Sequence, residues 1–277
     1  MDSQGPIGIF DSGYGGLTIL EEIRRQMPGY DYLYLGDNAR SPYGVRSFEV
    51  VYEFTRQAVV KLFDYGCRLI ILACNTASAK ALRTIQQRDL PTIDPARRVL
   101  GVIRPTVENI GQLTHTGHVG VLGTPGTIVS DSYAIEIHKL FPDIVVTGEA
   151  CPLWVPLVEN GEYDKPGADY FVRKHLDHIL QQDPLIDTLI LACTHYPLLE
   201  TKIRQNLPPA VSIRLISQGK YVADALKDYL LRHPEMDRQC SKNATCLFYT
   251  TEAATKFSEM ASVFLQGEID ATRITLG

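Results

Sequence analysis

A chain of 277 residues, 45% apolar and 21% charged, is long enough to bury one large or two modest cores without disulfides or a structural metal. Its net charge of −5 gives no basic footprint for nucleic acid or anionic lipid. No apolar run approaches the ~20 residues that span a membrane, and the polar start Met1-Asp2-Ser3-Gln4-Gly5-Pro6 has no targeting pattern, so the cytoplasm is the expected compartment.

Ile7 to Phe10 reads as a strand, followed by a small-residue turn and a helix over Leu17, Leu20 and Ile23. Tyr32 to Leu35 reads as a second strand, and Val51, Phe54, Ala58 and Leu62 recur at helical spacing. The run from Leu69 into Cys74 is a third strand, followed by a helix from Ala77 to Gln86. This alternation favours a parallel sheet with helices on both faces. Pro91, Pro95 and Arg97-Arg98 then interrupt the helical pattern. Further strands are expected at Val99 to Ile103, Val119 to Gly123, Ile144 to Thr147 and Leu189 to Cys193. Helices are expected through Tyr133, Ile137 and Leu140 and around Phe171 to Leu180. After Pro208-Pro209 come strands at Ile213 to Ile216 and Cys246 to Tyr249, and helices at Ala223 to Leu231 and Ala253 to Leu265.

Two of the runs end on the same word. Leu69 to Cys74-Asn75-Thr76 is matched by Leu189 to Cys193-Thr194-His195. Each places a thiol at the carboxyl end of a buried parallel strand, where open α/β sheets form ligand crevices. Gly8-Ile9-Phe10-Asp11-Ser12 and Gly120-Val121-Leu122-Gly123-Thr124 form a second pair, each preceding its cysteine by a similar distance. The two halves read as related units, with a crevice expected between them and one cysteine on each wall. Two thiols in equivalent places suit an acid and a base acting on opposite faces of one carbon.

Each motif also has a plainer explanation. The small residues of Asp11-Ser12-Gly13-Tyr14-Gly15-Gly16 let backbone N–H groups approach an anion, or simply form a tight turn capped by Asp11 or Ser12. The spacing is not that of a dinucleotide or phosphate loop, so no nucleotide cofactor is expected. Asn75 and Thr76 offer polar groups to a carboxylate or amine, yet Cys74 taken alone is equally a small buried hydrophobe. His195 can exchange a proton with a neighbouring thiol, although single histidines near strand ends are usually structural. In Gly36-Asp37 through Pro42-Tyr43-Gly44, Ser41, Tyr43 and backbone N–H groups can bind a carboxylate, or the segment is only a turn. Glu159 is a supporting acid or a helix-end carboxylate. Cys67, Cys151, Cys240 and Cys246 have no partner motif and are assigned structural roles. Without C-x-x-C or a Cys/His cluster at zinc spacing, free thiols and no metal are expected.

Phe10-Asp11-Ser12-Gly13 with Gly15-Gly16, Gly36-Asp37 with Pro42-Tyr43-Gly44, Ala73-Cys74-Asn75-Thr76-Ala77, Gly123-Thr124 with Thr127, and Cys193-Thr194-His195-Tyr196-Pro197 occur in that order. Through these words the chain resembles the glutamate racemases of the cofactor-independent aspartate/glutamate racemase superfamily. The resemblance implies an α/β fold of two pseudo-symmetric open parallel-sheet domains, with the active site between them and the chain's end returning to complete the first. The expected domains are 1–98 plus 211–277, carrying Asp11 and Cys74, and 99–210, carrying Thr124, Cys193 and His195. The implied activity is racemisation of glutamate with no cofactor or metal, in a homodimer, supplying D-glutamate for bacterial peptidoglycan. By the same resemblance Cys74 takes the α-proton from D-glutamate and Cys193 from L-glutamate, assisted by Asp11 and His195, with Asp37 and Glu159 as further supporting acids. Asp11, Ser12, Pro42, Tyr43, Gly44, Asn75, Thr76, Thr124, Thr127 and Thr194 are the implied substrate contacts, with both cysteines and His195. Arg104-Pro105-Thr106 and Ser217-Gln218-Gly219 depart from the family pattern.

Three other activities fit part of this pattern. One is another racemase of the superfamily, acting on aspartate or a hydantoin, told apart by which amino acid exchanges its α-hydrogen in heavy water. A Cys193/His195 thiol hydrolase leaves Cys74 unexplained. A non-catalytic amino-acid-binding protein gives no reason for a matched pair of thiols.

Overall fold

A parallel strand buried on both faces needs apolar side chains at every position rather than at alternate ones. The structure is a computed structural model describing residues 4–209, 212–265, 267 and 269–277, and it places the chain's most apolar runs in such strands. Among the described residues there are ten: β1 (Ile7–Asp11), β2 (Tyr32–Gly36), β3 (Leu69–Leu72), β4 (Arg98–Gly101), β5 (His118–Gly123), β6 (Val145–Ala150), β7 (Thr188–Ala192), β8 (Arg214–Ile216), β9 (Cys246–Thr250) and β10 (Ala271–Arg273). Every residue of β1, β2, β3 and β7 is buried, whereas β4, β6, β8 and β10 are partly exposed. Those four lie at sheet edges. The chain divides into two units, Met1–Val102 with Gly219–Gly277, and Ile103–Gln218.

The first unit holds an all-parallel sheet in the order β10-β9-β2-β1-β3-β4. Phe10, Leu33, Leu35, Ile70 and Leu72 pack with Val51, Ala58, Val59 and Leu62 of the helix Phe48–Asp64. The alternate residues Ile9, Tyr34 and Ile71 are also buried. Tyr34 meets Phe257 of the helix Ala254–Phe264, with ring centroids 6.1 Å apart, so helices cover both faces as the pattern predicts. The second unit holds an all-parallel sheet in the order β6-β5-β7-β8. Its helix Pro166–Gln182 buries Val172, Leu176 and Ile179.

Two edge strands join different sheets from those expected. β4, expected to open the second domain, pairs with β3 in the first sheet. β8, expected in the first domain, pairs with β7 in the second. An edge strand has one neighbour, and its own residues do not specify which. Ile103 lies not in β4 but at the start of the helix Ile103–Val107. The expected boundary between residues 210 and 211 lies outside the described residues. Helical structure after β3 continues past Pro91, which occupies the first turn of Leu90–Ile93, where no intrahelical N–H is lost.

The return of the chain to the first sheet is fastened by one carboxylate. Asp31, just before β2, accepts from the backbone N–H groups of Asn243 and Thr245, the Asn243 amide and the Thr245 hydroxyl. Burial opposes its charge, but the donors of Ser241, Thr245 and Asn243 prevail and hold the carboxyl well below its usual range. A carboxyl lowered by folding stabilises fully above its unfolded pKa, and that contribution fades as pH falls through the lowered value. Asp31→Ala is therefore expected to cost about 2 kcal/mol in neutral urea unfolding. Its deficit relative to the native chain should shrink in strong acid.

Candidate active site

Where the connections of an open parallel sheet reverse direction, the loops after the flanking strands separate and leave a crevice. In the first sheet the chain steps from β1 to β2, then crosses to β3 on the other side of β1. The loops after β1 and β3 therefore flank the reversal. β5, β6 and β7 repeat the same path in the second sheet. The registers coincide as well. Phe10 pairs with Leu72, and Leu122 with Leu191. Counting forward from those pairs, Ser12 in the first unit corresponds to Thr124 in the second, and Cys74 to Cys193. The repeat seen in the sequence is a repeat of position within each unit.

In the first unit Asp11 ends β1, is buried, and accepts the Gly13 N–H at 2.8 Å. The Ser12 hydroxyl lies 3.3 Å from the Cys74 sulfur. Cys74 caps the helix Asn75–Lys80, its sulfur accepting the Ala77 N–H at 3.4 Å. Donors aimed at sulfur from a helix start stabilise negative charge there. Asn75 and Thr76 form the first turn and are buried. Gly16 keeps the two loops close: a Cβ there would stand 2.6 Å from Asp11 Cβ and 3.0 Å from Ala73 Cβ.

The loop after β2 is anchored by Asp37, which is fully buried. Its carboxylate accepts from Arg40 Nε at 2.7 Å, from the Thr251 hydroxyl at 2.9 Å and from the Tyr43 hydroxyl. The Tyr43 ring packs near Phe10 and Phe54, with centroids 6.3 Å and 5.7 Å away. Burial, and then the charge of Asp37, push its phenol far above the ordinary value, so it remains a donor. The structure thus turns the Tyr43 hydroxyl inward to Asp37, leaving Ser41 and the backbone of Pro42 to Gly44 as the candidate carboxylate contacts of this loop. Pro42 follows a cis peptide bond.

In the second unit Thr124 caps the helix Pro125–Val129, accepting the Thr127 N–H at 3.3 Å, and the two hydroxyls lie 3.1 Å apart. Cys193 follows β7 and is 6% exposed, the same as Cys74. Its sulfur lies 3.9 Å from His195 Nδ1, and His195 Nε2 lies 3.0 Å from Glu159 Oε1. Burial opposes charge on His195, but the bonds to Cys193 and Glu159 outweigh it and raise the imidazole to about 10. Glu159 therefore does more than end its helix. That helix, Trp154–Glu159, is locked by fully buried Trp154, whose ring packs edge-on to Tyr196 at 4.9 Å. Tyr196 in turn donates to the Cys151 carbonyl at 3.0 Å. The thiols are equivalent in place but not in neighbours: Cys74 faces a hydroxyl and a backbone N–H, Cys193 an imidazole. Thr194, next in the chain after Cys193, is buried.

The other four cysteines are also free thiols. Burial pushes Cys67 and Cys240 up to about 12, Cys246 to about 11 and Cys151 well above its ordinary value. All four are poor nucleophiles, which suits structural roles. The two departures from the family pattern meet in the second unit: the Gln218 amide donates to the Thr106 hydroxyl at 3.0 Å, and Arg104 pairs with Glu108 and Glu136. Among the described residues no group of three or more His, Cys, Asp or Glu is gathered to hold a metal, and no helix is long and apolar enough to cross a membrane. Sequence reasoning missed Trp154 and Thr251, whose contributions come through partners distant in the chain.

Residues 15–226 match the Asp/Glu/Hydantoin racemase family. The chain belongs to that family and is an amino-acid racemase, an isomerase. Its similarity to glutamate racemases runs the whole length. It is 42% identical to the glutamate racemase of Shouchella clausii over 96% of this chain and 92% of that one. It is 40% identical to that of Ruegeria sp., covering 95% and 97%. Among solved structures, glutamate racemase isoform RacE1 from Bacillus anthracis superposes with a TM-score of 0.88 at 35% identity, covering 98% of each chain. The Francisella tularensis enzyme in complex with D-glutamate gives 0.87 at 33%, covering 100% and 99%.

Proposed function

We propose that this chain interconverts L- and D-glutamate by direct proton transfer at the α-carbon, with Cys74 and Cys193 as the two acid/base groups. The observation that carries this reading is the coincidence of register that gives both thiols the same position after equivalent strands. One sulfur, as thiolate, takes the α-proton as the C–H bond breaks. The other, as thiol, delivers its proton to the opposite face of the same carbon. The product leaves with inverted configuration, and the enzyme is left with thiol and thiolate exchanged. Cys74 acts on D-glutamate and Cys193 on L-glutamate. Asp11 supports the first, and His195, held by Glu159, supports the second.

The α-proton is weakly acidic, so charge developing in the transition state needs fixed donors and exclusion of water. Ser12, Asn75, Thr76, Thr124, Thr127 and Thr194 fill that role, while the backbone of Pro42 to Gly44 holds a substrate carboxylate that takes no part in the reaction. Asp37 supports the loop from beneath. No cofactor takes part. Glutamate as substrate is supported by the names of the relatives and by the D-glutamate complex of the Francisella protein. We place the enzyme in the cytoplasm as a homodimer supplying D-glutamate for peptidoglycan. The test is solvent-hydrogen exchange in heavy water across a panel of amino acids. Deuterium should enter the α-position of glutamate from either enantiomer, with little entering aspartate. Exchange confined to aspartate, or glutamate binding without exchange, would overturn the assignment.

A further inference from the structure

We propose that Thr251 is a positioning residue for the substrate-carboxylate loop at 41–44, acting through the buried carboxylate of Asp37; this rests on the glutamate-racemase reading above. β9 lies parallel to β2 with Thr250 opposite Gly36, so the residues just beyond the two strands, Thr251 and Asp37, stand side by side. The Thr251 N–H donates to the Gly36 carbonyl at 3.1 Å, continuing the ladder past the strand ends. Its hydroxyl then does two things. It donates to Asp37 Oδ1 at 2.9 Å, and it accepts the Ala39 N–H at 3.0 Å. Asp37 Oδ2 is taken by Arg40 and Tyr43, and the Asp37 N–H by the Asp11 carbonyl at 3.0 Å.

With Asp37 fully buried and both its oxygens engaged, this carboxylate is a post to which the loop is tied rather than a group for the substrate. The tie runs from the end of β9 through Thr251 to Asp37, then to Tyr43, whose ring belongs to the same packed cluster as Phe10 and Cys74. Removing the hydroxyl leaves the buried Asp37 Oδ1 without that donor and the Ala39 N–H without that acceptor. The carboxylate then settles toward Arg40, and the backbone at 42–44 loses its set position.

A loop that grips a carboxylate untouched by the reaction holds substrate and transition state alike, so its loss raises KM and spares kcat. Thr251→Val, which keeps the shape and removes the hydroxyl, should raise KM for glutamate about tenfold with kcat within about threefold. Thr251→Ser should restore the native KM. An unchanged KM in Thr251→Val, a fall in kcat at constant KM, or a Ser variant that behaves like Val would each overturn the proposal. If Thr251→Val does not fold, the same split is read on Thr251→Ala; failure of both to fold makes the residue merely structural and also overturns it. A native chain without glutamate exchange defeats the assigned reaction, whereas an active native chain with an indifferent Thr251→Val defeats only this inference.

Discussion

Cys193→Ala is expected to lower the rate of glutamate interconversion by at least about a thousandfold while glutamate still binds. Inversion needs a base on one face and an acid on the other, so a single thiol completes only half of the exchange. Cys74→Ala should be equally inactive, and the double variant scarcely worse than either single one, because groups acting as a unit do not contribute additively. Binding measured by calorimetry should stay within about threefold, since a thiol offers the ground-state substrate little beyond packing. The Cys74 variant separates the competing chemistry. A thiol hydrolase built on Cys193 and His195 would tolerate it and would accumulate a covalent acyl-enzyme. Full racemisation by Cys193→Ala would end the two-thiol mechanism.

His195→Gln should reduce kcat/KM by about a hundredfold. The bonds to Cys193 and Glu159 raise the imidazole to about 10, which favours its protonated form beside that sulfur. Its charge favours a sulfur that must carry a negative charge in one half of the cycle. The two enantiomers have equal free energies in water, so kcat/KM must fall by the same factor in both directions whatever residue is changed. The face affected is visible only in kcat and KM taken separately, or in deuterium entering L-glutamate before any D-isomer appears. Glu159→Gln gives the graded version. With one of its two raising partners gone, His195 titrates lower, and the alkaline limb of the pH profile should move down from about 10. The linkage has a definite sign. A histidine raised by folding stabilises fully below its unfolded value and loses that contribution as pH passes through the raised one. The stability gap between Glu159→Gln and the native chain should therefore be open at neutral pH and close above about 10. A profile indifferent to Glu159 would remove the carboxylate from the mechanism.

The central strands and the groups at their ends were legible in the sequence for a single reason. β1, β3 and β7 are buried on both faces, so their residues are continuously apolar, and the first polar word after each marks the carboxyl end. That logic weakens outward. β4 and β8 each face one neighbour, and the choice between sheets lies in hydrogen bonds that leave no periodic trace. β10 is three residues long with two exposed, too short to show alternation. Spacing alone places Tyr43 in the right loop but does not show where its hydroxyl points. Its actual acceptor, Asp37, owes its own position to Thr251, 214 positions away along the chain. Glu159 was nameable as an acid, but its use depends on a tryptophan whose neighbours come from other helices.

The composite origin of the larger sheet bears on how the protein is made. On the ribosome, β2 emerges early and must wait with a bare edge until β9, more than two hundred residues later, arrives to pair with it. The second unit is continuous and can complete its own sheet during that interval. The first becomes whole only when β9 and β10 have emerged, and the segment just after β9 delivers the hydroxyl that steadies Asp37. Chains cut short before β9 would accordingly be inert and prone to sticking at that open edge.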